Sequence, residues 1–267
     1  MEKLRAKLRE KKKSAQLVWS LAKDDFRSKY ASSQLGMFWA FFRPIVMAVV
    51  YIFVFSYIAR ATPVNGQYPY SMWLLPGLIV WFVFSDSLMN GVTTLTQYSF
   101  LVKNIRFNIS ILPVVKVVSG FFIHVFFIVV IFILYLILRL PIQWQILQLI
   151  YYCGATFVFT LALTRILCTV QPFFKDMMIA IEIVLMVGIW ACPVLWNLEM
   201  IPESIWWVFK LNPVFYLVNG YRDSFMGGMW FWEHPVQTAG FWLVTILLEV
   251  LGKKFFRRMS PHFADMI

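Results

Sequence analysis

Long apolar runs separated by short polar stretches make up most of this 267-residue chain. The runs cover roughly 41–59, 72–93, 114–138, 146–169, 177–197 and 236–252. A helix needs about 20 apolar residues to cross ~30 Å of hydrocarbon, and all but the last run reach that length. Within each run the apolar residues are continuous, which favours helices over the alternating strands of a barrel. The pattern therefore predicts an all-α polytopic membrane protein with six transmembrane helices.

The segment before the first run has two parts. Residues 1–13 are mostly charged, and we expect them to be disordered or to lie on anionic lipid headgroups. From Ser14 to about Gly36, residues at steps of three or four form an aromatic stripe that comprises Trp19, Ala22, Phe26, Tyr30, Ser33 and Met37. This spacing predicts an amphipathic interface helix, although a soluble helix packed on a partner would show the same spacing. Residues 1–37 are therefore assigned to a basic segment with an interface helix, and residues 38–267 to the transmembrane domain.

The stretch of about 199–230, between the fifth and sixth runs, is apolar but interrupted by polar pairs. From Ile205 to Leu211 a helix would be only ~10 Å long, which cannot cross a membrane. Pro213 lacks an N–H and disfavours helix at Asn212, so we expect two short helices hinged there, Ile205–Leu211 and Val214–Met226. Backbone that enters a membrane and returns is tolerated where protein or a water-filled cavity covers it. This re-entrant hairpin is predicted to be a gate containing Asn212, Pro213, Tyr221, Arg222 and Asp223.

The net charge of +11 comes from Lys and Arg residues whose distribution indicates a membrane orientation rather than nucleic-acid binding. Of these 24 residues, 20 lie in or beside the N-terminal segment, the connections after the second and fourth runs, or the C-terminus. The positive-inside rule then places both termini in the cytoplasm. The connections at about 95–113 and 171–176 would also face the cytoplasm, and the gate hairpin would face outside.

Apart from Arg43 and Lys116 at the starts of the first and third runs, five charged or histidine side chains fall inside the apolar runs, where an isolated charge is costly and therefore a functional candidate. They are Asp86, His124, Arg165, Glu182 and Glu249. Arg165 and Glu182 lie at similar depth near the cytoplasmic side and could form an intramembrane ion pair. Asp86 and His124 are also similar in depth. A proton relay would use such groups, but pairs that hold helices together explain the pattern better.

The sequence lacks the motifs of an enzyme that works alone. It contains no G-x-x-x-x-G-K-[ST] loop, and its three histidines make no metal-ligand spacing. The three cysteines lie in apolar runs and are expected to pack as small hydrophobic residues. We therefore expect no directly bound cofactor and no metal. Aromatic residues of the first and fifth runs could face lipid or could form a surface on which sugar rings stack.

Four stretches that together span the chain resemble one family. They are LAKDDFRSKYASSQLGMFWAFFRPI, FLVKNIRFNISILPVV, NPVFYLVNGYRDSFMGG and FRRMSPHFADMI. The first carries Arg27, Tyr30, Leu35-Gly36, Trp39 and Pro44, and the last carries Pro261, Phe263, Ala264 and Asp265. On these motifs the chain resembles the permease subunit of type-2 ABC exporters of lipid-linked polysaccharide, such as O-antigen, capsule or wall teichoic acid.

The resemblance implies a homodimer in the bacterial plasma membrane, bound to two copies of a separate ATPase that supplies ATP and Mg. It implies a channel lined by the first and fifth spans, with the candidate aromatics Tyr51, Phe55, Trp190 and Trp196. The cytoplasmic connections would dock the ATPase through Lys103, Asn104, Arg106, Phe174, Lys175 and Asp176. The remaining partners would be membrane lipids and the lipid-linked polysaccharide. A small-molecule or lipid exporter of the same fold is the alternative, whereas a membrane-embedded glycan-modifying enzyme would need a catalytic cluster.

Overall fold

The computed structural model describes residues 2–31, 33–59, 68–104 and 107–267, with side chains from Lys12 onward in the first helix. These residues are folded almost entirely as helices. The α-helices are α1 Glu2–Ser28, α2 Phe38–Phe53, α3 Tyr70–Val92, α4 Thr94–Gln97, α5 Ser99–Val102, α6 Leu112–Ile137, α7 Leu149–Val170, α8 Met177–Ala191, α9 Trp206–Lys210, α10 Pro213–Met226, α11 Pro235–Met259 and α12 Phe263–Met266. A π-helical turn, Val54–Ile58, extends α2. Arg106 of the predicted docking set lies outside the described residues.

Five helical stretches of the described chain are long and apolar enough to cross a membrane. They are Phe38–Ile58, Tyr70–Val92, Ile109–Ile137, Trp144–Val170 and Pro235–Met266. An all-helical polytopic membrane protein is thus confirmed. The predicted run 177–197 behaves differently, because α8 has 15 residues and is about 22 Å long. Cys192, which precedes Pro193, has extended backbone (φ −94°, ψ 131°), and this conformation ends the helix.

The centre of the bundle is α3, which packs against α6, α7, α8 and α10. Most of its side chains are buried, and they form one large apolar cluster with residues of those neighbours. In contrast, α2 has a single buried residue, Ala40, and α8 has two, Leu185 and Ile189. The bundle therefore surrounds α3 and leaves broad apolar faces of α2 and α8 uncovered.

The first helix packs lengthwise on α6. Trp19 and Phe26 both meet the ring of Phe122 edge-on, with centroids 5.1 and 5.8 Å apart, and Ala22 between them is fully buried. The helix begins at Glu2, which corrects the expected disorder of residues 1–13. Its first turns consist of Glu, Lys, Arg, Leu and Ala, which are strong helix formers and account for the extension.

A second apolar cluster closes one end of the bundle. It contains Leu95, Val102, Leu112, Cys168, Phe256 and Phe263. These residues bring together α4, α5, the start of α6, the ends of α7 and α11, and α12. We call this the α4–α5 end of the bundle, and we call the opposite end, where α10 packs on the start of α3, the α10 end. The C-terminal motif singled out in the sequence thus contributes Phe263 to this cluster.

Candidate functional site

At the α10 end, Arg222 holds the turn that follows α8. Its side chain is 3% exposed and donates hydrogen bonds to the carbonyl oxygens of Pro193 (2.8 Å) and Val194 (2.6 Å). Its Nε donates to the carbonyl of Trp73 on α3 at 3.3 Å. A fully buried cation with three carbonyl acceptors is satisfied without a carboxylate. Arg222 of α10 therefore joins α3 to the end of α8.

Other contacts support the same turn. The hydroxyl of Tyr70 donates to the carbonyl of Leu195, and the indole N–H of Trp196 donates to the carbonyl of Trp190 at 2.9 Å. Together with Arg222, these donors satisfy most of the carbonyl groups between Trp190 and Leu195. We call the stretch 192–196 the clamped turn. Carbonyls at a helix end have no intrahelical partner, so these side chains act in place of water.

The predicted break at Asn212–Pro213 is present. The helix α9 ends at Lys210, and the side chain of Asn212 caps α10 by accepting a hydrogen bond from the Val214 N–H at 2.9 Å. Pro213 occupies the first turn of α10, where its missing N–H has no consequence. The residues of the predicted gate therefore form a short helix, a capped hinge and a second helix.

Tyr221 and Asp223 have different surroundings from Arg222. Tyr221 is fully buried, and its hydroxyl lies 2.7 Å from Nε2 of His124 on α6 and 3.1 Å from Sγ of Cys153 on α7. Asp223 accepts a hydrogen bond from the Asn219 side chain at 3.2 Å. The predicted gate residues thus fall into separate contacts rather than one cluster. His124 pairs with Tyr221, and not with Asp86.

The four aromatic residues proposed to line a channel have unequal exposure. Tyr51 and Phe55 are partly buried against the main cluster, and Phe55 lies 5.9 Å from the ring of Tyr70. Trp190 is 56% exposed, whereas Trp196 packs edge-on against Phe209 of α9 at 5.2 Å. The exposed face of α8 thus leads towards the clamped turn and α9.

At the α4–α5 end, the two predicted docking connections touch each other. The Thr96 hydroxyl donates to the side-chain oxygen of Gln171 at 2.7 Å. These two connections carry five exposed residues of the predicted docking set: Lys103, Asn104, Phe174, Lys175 and Asp176. The structure therefore presents both connections on one surface.

Beneath that surface lies a polar group that the sequence analysis did not identify. Asp25 of α1, 7% exposed, accepts hydrogen bonds from Lys116 Nζ of α6 (2.5 Å) and from the Tyr98 hydroxyl (2.8 Å). Lys116 also donates to the Gln97 side chain at 2.6 Å. Burial, and secondarily the hydrogen bond to Asp25, raises the pKa of Tyr98 well above its ordinary value, so its phenol remains a donor. We call these four residues the Asp25 node. The sequence contained one sign of this group: an acidic residue, Asp25, lies between Ala22 and Phe26 of the stripe that packs on the bundle.

The predicted ion pair between Arg165 and Glu182 is wrong. Arg165 of α7 pairs instead with Glu249 of α11. The carboxylate of Glu249 also forms an ion pair with Lys253, whose Nζ lies 2.9 Å from Oε1. Glu182 is exposed on α8. Similar depth in the membrane does not decide which helix faces which, and α7 packs along α11. The paired charge also explains how α11 accommodates Glu249 within a long helix.

Among the residues that the structure describes, no three His, Cys, Asp or Glu side chains gather as metal ligands. The polar contacts at both ends of the bundle link helices to one another.

Comparison with known proteins identifies the family. A model of the ABC-2 type transporter family matches residues 16–226. The O-antigen export system permease protein RfbA of Klebsiella pneumoniae is 25% identical over 253 residues, covering 94% of this chain and 95% of the relative. RfbA of Myxococcus xanthus is 26% identical over 259 residues, with the same coverage. The polysialic acid transport protein KpsM of Escherichia coli is 23% identical over 221 residues, covering 76% of this chain and 79% of the relative. This chain therefore belongs to the ABC-2 type transporter family, as a multi-pass permease of the bacterial inner membrane.

Proposed function

We propose that this protein is the membrane-spanning subunit of an ATP-driven exporter of lipid-linked polysaccharide. The observation that carries this proposal is the similarity over 94% of the chain to permeases named for O-antigen export. Another relative is named for the transport of polysialic acid, which is a different glycan from O-antigen. We therefore propose the substrate only at the level of polysaccharide. Energy would come from two copies of a separate ATPase, which binds the ATP and Mg.

In the proposed topology, α2, α3, α6, α7, α8 and α11 are the six spans, and both termini lie in the cytoplasm. The shorter α8 crosses together with the clamped turn, which continues the chain beyond Ala191. The α4–α5 end then faces the cytoplasm, in agreement with the exposed Lys103 and Lys175 there and with the basic last turn of α11. The helices α9 and α10 enter from the outer face and return.

The uncovered faces of α2 and α8 support a homodimer with a channel between the subunits. Exposed side chains on α2 include Phe42, Val49 and Phe53, and those on α8 include Val187 and Trp190. Lipid covers such faces by default in a membrane, so the choice of α2 and α8 as the subunit contact also depends on the family resemblance, which implies a channel at the first and fifth spans. In this arrangement Tyr51, Phe55, Trp190 and Trp196 lie along the route of the glycan, where flat aromatic rings can stack on sugars.

The α9–α10 hairpin is the proposed outer gate. Because Arg222 is bonded to the carbonyls after α8, a movement of α8 would be transmitted to α10 and from there to α9. Tyr221 and Asp223, on either side of Arg222, would hold the returning helix through their separate contacts. Opening of the channel would then require α9 and α10 to move with the end of α8.

The test is reconstitution of the protein with its cognate ATPase in lipid vesicles. We expect the permease alone to hydrolyse no ATP and the complex to move lipid-linked polysaccharide across the bilayer only when ATP is supplied. Transport of small amphipathic molecules or short lipids without polysaccharide export would favour the alternative exporter. Robust ATP hydrolysis by permease shown free of a second subunit would refute the proposal.

A further inference from the structure

The last turn of α1 and the residue that follows the helix are joined to the bundle by ion pairs of opposite polarity. Asp25 contacts Lys116 of α6, and Lys29, four residues later on the same face, contacts Asp86 of α3 at 2.8 Å. The Asp25 pair is almost completely buried, whereas the side chains of Lys29 and Asp86 are 26% and 40% exposed. A small cavity of about 10 Å³ lies between the two pairs. The two contacts therefore differ in burial, although they start from one helix face.

Only the inner contact reaches the α4–α5 segment. Tyr98, which lies between α4 and α5, donates to Asp25, and Gln97 at the end of α4 accepts from Lys116. The Lys116 ammonium also lies 5.3 Å from the centroid of the Tyr98 ring. Asp25 and Lys116 thus link three separate elements: α1, α6 and the α4–α5 segment. The pair formed by Lys29 and Asp86 joins the residue after α1 to α3.

The contacts of the Asp25 node are suited to keeping α1, α6 and the α4–α5 segment in a fixed relative orientation. Removing one partner of a buried ion pair leaves an uncompensated charge, so the three elements resist separation. Hydrogen bonds are directional, and the acceptor oxygens of Asp25 and Gln97 fix the orientation of Tyr98 and Lys116.

We propose that Asp25 is a positioning residue that transmits movement of the α4–α5 segment to α1 and α6. This inference rests on the proposed function, in which an ATPase pushes on that segment. Displacement of α4–α5 would carry Tyr98 and Gln97, and through Asp25 and Lys116 it would tilt α1 and the start of α6 together. Export would then depend on the node even when the ATPase remains bound and active.

The experiment compares Asp25→Asn with the matched control Asp86→Asn in the full complex with its ATPase. Asparagine preserves the size of the side chain but removes the charge that Lys116 needs. We expect D25N to assemble and to hydrolyse ATP within about twofold of wild type, and to lose export by at least tenfold. D86N should keep both activities within about twofold, because neither Lys29 nor Asp86 contacts the α4–α5 segment through the pair that they form. The charge-swapped double variant D25K/K116D should recover part of the export, and Tyr98→Phe should give a smaller loss.

A second readout does not require glycan. Spin labels at Lys23 of α1 and Phe100 of α5, both exposed, report the distance between the two elements in each nucleotide state. In wild type and D86N this distance should stay narrowly distributed as nucleotide is exchanged, and in D25N it should broaden. If the wild-type complex exports no polysaccharide, the proposed function fails, and the label distances still test the joint.

Two results would overturn the inference. One is export per ATP in D25N equal to that of wild type, with label distances unchanged. The other is a loss of assembly and thermal stability in D25N that matches its loss of export and is not restored by D25K/K116D. In that case Asp25 only holds the fold together.

Discussion

The guanidinium carbon of Arg222 lies 3.5 Å from the centroid of the Trp73 ring, so the cation sits on the face of the indole. The same arginine also donates to the Trp73 carbonyl. A single residue of α3 thus receives both an aromatic and a polar contact from α10, while the two terminal nitrogens of Arg222 are directed at the clamped turn. This geometry depends on the planar guanidinium, which lysine cannot reproduce.

Replacement of Arg222 should therefore lower the free energy of unfolding, and alanine should lower it more than lysine. Arg222→Ala leaves buried carbonyl groups without a donor, and we expect a loss of about 3 kcal/mol, since each such group costs about 1–3 kcal/mol. Arg222→Lys should lie between alanine and wild type. Thermal unfolding in detergent measures the order. Arg258→Ala, at an exposed arginine of α11, is the control and should be neutral. A lysine variant as stable as wild type would show that the planar group is dispensable.

The corrected ion pair supplies a second prediction. Glu249→Gln removes the partner of Arg165 inside the bundle, and the loss should be about 3 kcal/mol, the low end for breaking a buried pair. Glu182→Gln should change stability by less than about 0.5 kcal/mol, because Glu182 is exposed. Thermal unfolding of both variants in detergent decides between the two partners. Equal effects of the two substitutions would contradict the Arg165–Glu249 assignment.

The contact between α3 and α7 is close at Gly91. A Cβ placed there would overlap the side chain of Thr164, with Cγ2 as the nearest atom. Gly91→Ala should therefore destabilise by about 1–3 kcal/mol through overpacking. Thr164→Ser removes Cγ2 and should restore much of the loss in the double variant. Gly154→Ala on α7, where a Cβ meets open space, should be neutral or slightly stabilising. Helix content and unfolding temperature provide the readout.

The proposed topology predicts which positions react from outside the cell. Trp207 of α9 and Leu211 are 62% and 71% exposed, and cysteines there should react with a membrane-impermeant maleimide on intact cells. A cysteine at Phe100, 68% exposed at the opposite end, should react only after the cells are opened. Cys168 and Cys192 are buried but Cys153 is only partly buried, so the labelling of each variant is compared with that of the unchanged protein. The reverse pattern would invert the orientation of the bundle.

Docking of the ATPase should depend on charge at one end of the bundle. The double variant with Lys103→Glu and Lys175→Glu reverses two exposed charges of the predicted docking surface. We expect co-purification with the ATPase to fall at least fivefold. Lys210→Glu makes the same kind of change on α9, at the α10 end, and should leave co-purification unchanged. An unaffected double variant would place the ATPase contact elsewhere.

Several features could be read from the sequence because they depend on local chemistry. The break at Asn212–Pro213 follows from the missing N–H of proline and the capping ability of asparagine, and it needs no knowledge of the neighbouring helices. The apolar runs likewise located the helices, although their lengths were misleading for two of them. The fifth run contains only the 15-residue α8, whereas the last run, which is shorter than a span, belongs to the long stretch Pro235–Met266. The early end of α8 also had a local signal, since Pro193 lies within the run 177–197.

Other features depend on which helix faces which, and the chain order does not contain that information. Two acidic residues, Glu182 and Glu249, lie near the same depth in the membrane as Arg165. Only the packing of α7 along α11 shows that Glu249 is the partner. Asp25 was one acid among the charged residues of α1, and its importance follows from Tyr98 and Lys116, which are far away in the chain. Buried polar contacts between distant elements therefore remained hidden until the elements were placed.

The shortness of α8 has a consequence for the lipid around the protein. A helix about 22 Å long is several ångströms shorter than a hydrocarbon layer of ~30 Å. In the proposed topology, a short span is accommodated either by a thinner bilayer around it or by protein that covers it, and the second subunit proposed to meet α8 provides that cover. Any part of α8 that lipid still reaches would favour short acyl chains, so we expect the stability of the dimer to depend on acyl-chain length.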